Sequence, residues 1–160
     1  MKTFIKSSIV AATLAAILSP SFSTADEPRV GKITNALTFE ECSACHMAFQ
    51  PGFLPERSWR KIMANLTDHF GEDASLSASA TQEITDYLAK NAMDKSKSGQ
   101  RFLRNVSPDS IPLRITEFSW FTHEHGSRRI NYANSNPDIG TISNCTACHR
   151  GAERGYFDDD

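Results

Sequence analysis

Apolar positions along this chain recur at three- and four-residue spacing, and no stretch shows the strict alternation of a half-buried strand. A mainly α fold with much irregular chain is therefore predicted. Thr38-Phe39-Glu40-Glu41 reads as a capping box, with Thr38 at the N-cap and Glu41 at N3. It starts a short helix that leads into Cys42–His46, and Pro51-Gly52 closes that element. Pro55 suits the first turn of a second helix. Trp59, Ile62, Met63, Leu66 and Phe70 follow as its apolar stripe, with His69 at the edge and Gly71 as the stop. Ser79 with Gln82 makes another capping box, ahead of a helix whose face is Ile84, Tyr87 and Leu88 and which reaches about Ala92. Polar, Gly-containing 94–100 reads as a linker. Beyond it Pro108 and Pro112 break any helix. Thr116–His125 can form a short helix with Phe118, Phe121 and His125 on one face, ended by Gly126. Residues 134–140 read as loop and Asp158-Asp159-Asp160 as a solvated tail.

The first 25 residues differ from the rest. Lys2 and Lys6 precede an apolar run from Ile9 to Leu18 that only Thr13 interrupts; Pro20 ends it and Ser23-Thr24-Ala25 is a small-x-small signal. This is the pattern of a secretory leader cleaved after Ala25. The run is shorter than the about 20 residues that cross a bilayer, so a retained anchor is the weaker reading. The predicted organisation is a leader over 1–25, an N-terminal unit over 26–94 and a C-terminal unit over 95–160. A chain so exported is expected in the periplasm.

The full chain has net charge −2. The leader holds two lysines and no carboxylate, so the mature chain stands at about −4. Nothing resembles the basic stripe of a nucleic-acid binder.

Export usually turns cysteines into disulfides. Here all four fall into two copies of one pattern, Cys42-Ser43-Ala44-Cys45-His46 and Cys145-Thr146-Ala147-Cys148-His149. Cys-x-x-Cys-His is the attachment run of c-type haem. Two thiols at this spacing can each add to a porphyrin vinyl group, and the next histidine sits under the iron. A structural zinc held by two Cys-x-x-Cys pairs is a minor alternative. A thioredoxin-like pair lacks its βαβ context. Two haem c groups are thus expected, bonded through Cys42, Cys45, Cys145 and Cys148, with His46 and His149 as proximal ligands. They would form much of the core of so short a chain, and binding would drive folding.

Each iron needs a second axial ligand unless its site is open. The remaining donors are His69, His123, His125, Met47, Met63 and Met93. Met47 follows His46 directly and cannot reach the opposite face. His69 is favoured for the first haem over Met63 or Met93, because it closes the aromatic and aliphatic stripe. His125 is favoured for the second, with His123 as its competitor. Two histidines would leave each haem at a lower potential than a methionine-ligated one. Arg114, Arg128 and Arg129 are candidates for pairing with haem propionates, against the plain reading of solvated surface arginines.

Several segments together resemble the dihaem cytochrome c family of proteobacteria. They are the first haem motif with Pro51-Gly52-Phe53-Leu54-Pro55, Trp59 to Ala74 with its His69-Phe70-Gly71-Glu72-Asp73-Ala74, Arg114-Ile115-Thr116 leading to Trp120–His125, and Asn144–His149 with Ala152-Glu153-Arg154-Gly155. The haem motifs alone are generic; their combination with His-Phe-Gly-Glu-Asp-Ala is more specific. The resemblance implies an N-terminal half like a small class I cytochrome and an irregular, helix-poor C-terminal half. It implies bis-histidine haems, selects His125 over His123, and implies electron delivery to a haem-protein partner. That partner would be an oxygen-binding monohaem protein or a membrane cytochrome b. The sequence departs from the family in carrying histidine at 123.

The expected activity is single-electron transfer rather than enzymatic turnover. The competing class is a small dihaem peroxidase, which needs one openable iron with acid–base groups beside it. A haem-based gas sensor would need a vacant site and an output domain as well.

Overall fold

The computed structural model describes residues 30–157. The leader, its cleavage point and the Asp158–Asp160 tail lie outside the described residues. Five helices order the chain: α1 (Ala36–Cys42), α2 (Glu56–Met63), α3 (Ala78–Lys90), α4 (Lys97–Phe102) and α5 (Ser119–Ser135). Short 3-10 turns join them. Among the described residues the only β feature is an isolated antiparallel bridge between His69 and Glu72. The expected mainly α architecture is what the chain adopts. No helix among them is long and apolar enough to cross a membrane.

The helix starts differ from the sequence reading for one recurring reason: another cap-forming residue stands just upstream. Asn35, not Thr38, caps α1, its Oδ1 accepting the Thr38 N–H at 2.7 Å. Thr38 is instead buried inside the helix. Ser77, not Ser79, caps α3 by accepting from the Ala80 N–H. The α2 stripe ends at Met63; Leu66 lies on a 3-10 turn and Phe70 points outward, 45 % exposed. Gly71 therefore belongs to a tight turn and not to a helix stop. Pro51-Gly52-Phe53 forms a 3-10 turn, pinned to α2 where the Trp59 indole N–H donates to the Pro51 carbonyl at 2.7 Å.

The expected linker at 94–100 is folded. Met93–Lys95 is a 3-10 turn, and Ser96 caps α4 by accepting the Gly99 N–H at 3.0 Å. Gly99 is buried against the Met93 carbonyl, where a Cβ would stand 2.1 Å away. Gly126, by contrast, does end the helical stretch that carries His125: at φ 60° and ψ 157°, a conformation glycine tolerates, it is non-helical and divides α5 into two helices across a kink.

α2 packs on α3, which buries Ile84 and Leu88 completely or nearly so. Burial of each such side chain contributes about 1.5–3 kcal/mol. α1 also packs on α3: Asn35 Nδ2 donates to Glu83, and the Thr34 N–H donates to the Tyr87 hydroxyl. The core runs on without a break from Val30, Phe53 and Trp59 to Ile115, Phe118 and Phe121 of the second half. Polar contacts cross with it. The buried Gln50 amide donates to the Ala152 carbonyl at 2.7 Å, and Arg57 Nε donates to the Ser110 carbonyl at 2.6 Å. Gly155, at φ 82°, lies so close to the Val30 carbonyl that a Cβ there would be 2.2 Å from its oxygen.

Candidate functional site

α1 ends on Cys42, so the first haem motif unwinds from a helix end into turn. The second begins on the 3-10 turn Cys145–Ala147. Both motifs share an asymmetry: the first cysteine is the more enclosed (Cys42 half-buried, Cys145 buried) and the second is exposed (Cys45, Cys148). All four thiols are free. Burial, then the neighbouring Glu41 carboxylate, pushes the Cys42 thiol up to about 11. Burial, then Cys148, does the same for Cys145, also to about 11. A zinc site would need thiolates converging on one point. The described residues contain no cluster of three or more His, Cys, Asp or Glu able to hold such an ion. Uncharged thioethers suit the sheltered Cys42 and Cys145, so the motifs fit haem attachment and not zinc.

The histidines fall into two pairs. The rings of His46 and His69 have centroids 6.1 Å apart and planes 15° from parallel. Those of His125 and His149 are also 6.1 Å apart, with planes at 82°. Two imidazoles bound to one metal stand about 6 Å apart, given a metal–nitrogen bond of about 2 Å and a ring radius on each side. In each pair one ring is oriented by the backbone. His46 Nδ1 donates to the Met47 carbonyl at 2.7 Å, and His125 Nδ1 donates to the Phe121 carbonyl at 3.0 Å. Such a bond fixes the tautomer and leaves Nε2 as the metal-binding nitrogen. The other two rings, His69 and His149, have buried Nδ1 atoms without a protein partner. Burial, then the charges of His46 and Arg114, holds His69 below the usual histidine range, in the neutral form a metal requires. The donor set therefore fits two haems.

Aromatic rings surround both pairs. Phe121 stacks on His125 at 4.0 Å, and Phe157 meets both His149 and Phe53 edge-on. Phe118 caps α5 and is buried beside Trp120. The Phe118, Phe121, His125 face was legible as spacing. Arg114 was singled out for a different partner: its guanidinium lies 4.1 Å over the Phe70 ring. Arg128 and Arg129 are exposed. His123 is exposed on α5 and joins neither ring pair. Met63 and Met93 are buried in the core. Phe70, beside His69, carries the only positive φ of a non-glycine residue among the described ones, and no sequence signal marked it.

A helical chain in which two Cys-x-x-Cys-His runs each meet a second imidazole defines a c-type cytochrome built for two haems. Comparison with known proteins places it more narrowly. The model of the family described as "Dihaem cytochrome c" matches residues 38–157. The chain belongs to the dihaem cytochrome c family. It is similar to a diheme cytochrome c from Rhodobacter sphaeroides, at 46 % identity over 79 % of this chain and 98 % of that one, with a TM-score of 0.69. A second structure of that kind, DHC purified from Rhodobacter sphaeroides, is 43 % identical over 79 % of this chain and 99 % of the other, at 0.60. A diheme cytochrome type c from Shewanella baltica is 36 % identical over 78 % of this chain and 87 % of the other, at 0.61. No curated protein matches. Membership brings two haem c groups with iron, and electron transfer as the activity.

Proposed function

We propose that this protein is a periplasmic single-electron shuttle in which both irons are closed by two histidines, His46 with His69 and His149 with His125. The observation that carries this reading is the pair of 6.1 Å imidazole separations, one at each haem motif. Bound haem supplies an iron that cycles between ferrous and ferric states. The protein does the rest. Cys42 and Cys45, and Cys145 and Cys148, tether the two groups in an N-terminal unit (26–94) and a C-terminal unit (95–160). The Met47 and Phe121 carbonyls fix one ring of each axial pair. Four imidazoles leave neither iron a free position, so a peroxidase-type reaction has nowhere to bind its substrate. Two histidines, rather than histidine and methionine, set the potentials low. The periplasmic setting rests on the leader-like 1–25 segment. The recipient is a haem-protein partner, an oxygen-binding monohaem cytochrome by family resemblance.

A redox titration followed by low-temperature electron paramagnetic resonance (EPR) tests the assignment. His69→Met should raise the potential and change the signal of one haem, and His125→Met those of the other, while His123→Ala changes neither. A wild-type protein with a high-spin iron that binds cyanide at once would overturn the closed-site reading. Methionine variants that leave both signals intact would overturn the ligand assignment.

A further inference from the structure

The turn that carries His69 is held in an unusual way. His69 and Glu72 exchange backbone hydrogen bonds, the His69 N–H donating at 2.7 Å and the Glu72 N–H at 3.3 Å. Asp68 Oδ1 accepts the Gly71 N–H at 3.1 Å. Between them Phe70 sits at φ 56°, in the left-handed region that residues with a side chain avoid. Surrounding structure must over-determine such a conformation for it to persist. Here the Phe70 ring is caught between two groups. Its edge-on partner is the His69 imidazole, at 4.9 Å. On it lies the Arg114 guanidinium, at 4.1 Å from the ring centroid.

Arg114 comes from the other half of the chain. It precedes the 3-10 turn Ile115–Glu117, whose Ile115 is buried in the common core. The Glu117 carboxylate accepts the Leu113 N–H and braces the same turn. The guanidinium forms no ion pair with a carboxylate of the described residues; Arg60 and Lys95 make those, both with Glu56. An exposed arginine, held next to the buried Ile115 with its guanidinium over a half-exposed phenylalanine, acts through that ring.

We propose that Arg114 is a positioning residue for the first haem: through Phe70 it clasps the His69 ring and resists loss of the distal ligand. This rests on the reading of His69 as an axial ligand and names what keeps it there. A cation lying on an aromatic face attracts its quadrupole, and arginine does so most often. Losing that contact frees Phe70 to leave the left-handed region, and the turn carrying His69 loosens with it.

The test measures cyanide binding to the oxidised holoprotein, with EPR to identify the haem attacked. Cyanide enters only when the distal ligand leaves. Arg114→Gln should speed binding at the first haem about two- to fivefold and leave the second unchanged. Arg114→Lys should recover part of the slow rate. Phe70→Ala should speed binding further, and the double variant should match Phe70→Ala alone, because the arginine works through the ring. A wild-type rate in Arg114→Gln, or additive effects in the double variant, would overturn the clasp. If Phe70→Ala does not accumulate, the glutamine and lysine variants decide alone. His69→Ala keeps the two ideas apart. A first haem turned high-spin by His69→Ala, together with an unresponsive Arg114→Gln, removes the clasp and keeps the ligand. A first haem still low-spin removes both.

Discussion

The two imidazole pairs differ in one respect that a spectrum can read, the angle between their rings. In a haem closed by two histidines, each imidazole would raise the energy of the iron d orbital that lies perpendicular to its plane. Two parallel rings act on the same orbital and split the dxz/dyz pair; two perpendicular rings raise both equally and leave them nearly degenerate. The splitting scales with the cosine of the interplanar angle. For His46 and His69, at 15°, that cosine is about 0.97. For His125 and His149, at 82°, it is about 0.14, a sevenfold smaller splitting. The oxidised protein should therefore give two separate low-spin signals, one rhombic and one nearly axial with a large principal g value. Phe121→Leu provides the perturbation. Phe121 is buried and stacks on His125 with planes only 18° apart, which holds that ring's orientation. Leucine fills most of the space, at a cost of about 1 kcal/mol in stability, and removes the flat face. Each 10° by which His125 then turns toward His149 restores about 0.17 of the full splitting. The axial signal should move toward the rhombic one, and the rhombic signal should stay. Two superimposable rhombic signals in the wild type would refute the reasoning, as would a variant that shifts the first signal instead.

Two further outcomes concern the fold. Gly155→Ala meets both a left-handed backbone and a carbonyl that cannot yield easily, that of Val30, and should cost about 2 kcal/mol or more. Chemical unfolding of the holoprotein measures it, and a loss under about 0.5 kcal/mol would deny the close approach. Hydrogen bonds from Lys95 first, and Arg60 second, hold the Glu56 carboxyl below its usual range. A carboxylate lowered in the folded state stabilises the fold above the pKa it has when unfolded. That contribution disappears as the pH falls through the folded value. Glu56→Gln should therefore flatten the acid limb of a thermal-midpoint profile taken from about pH 7 to about pH 3, and parallel limbs would contradict the pairing.

The dihaem character was legible because haem attachment demands a fixed spacing, and two Cys-x-x-Cys-His runs can be read in order. The helix over Ile84, Tyr87 and Leu88 was legible because its apolar period is strong. Its start was not: Ser77 and Ser79 are equally good cap formers, and only the packed chain chooses. The same holds for Asn35 over Thr38. The polar run at 94–100 looked like linker because composition reports no contacts. Ser96 capping α4 and Gly99 fitting under Met93 make it structure. Ring angles and the Arg114–Phe70 contact are tertiary facts that no local pattern encodes.

The seam between Val30 and Gly155 joins the two ends of the described chain, with Gln50 and Ala152 bonded beside it. A hinge that parted the halves would strand the Gln50 amide donor, at about 1–3 kcal/mol, before any apolar surface was uncovered. The seam therefore resists separation of the two haem motifs, and the two ends of the chain hold them together.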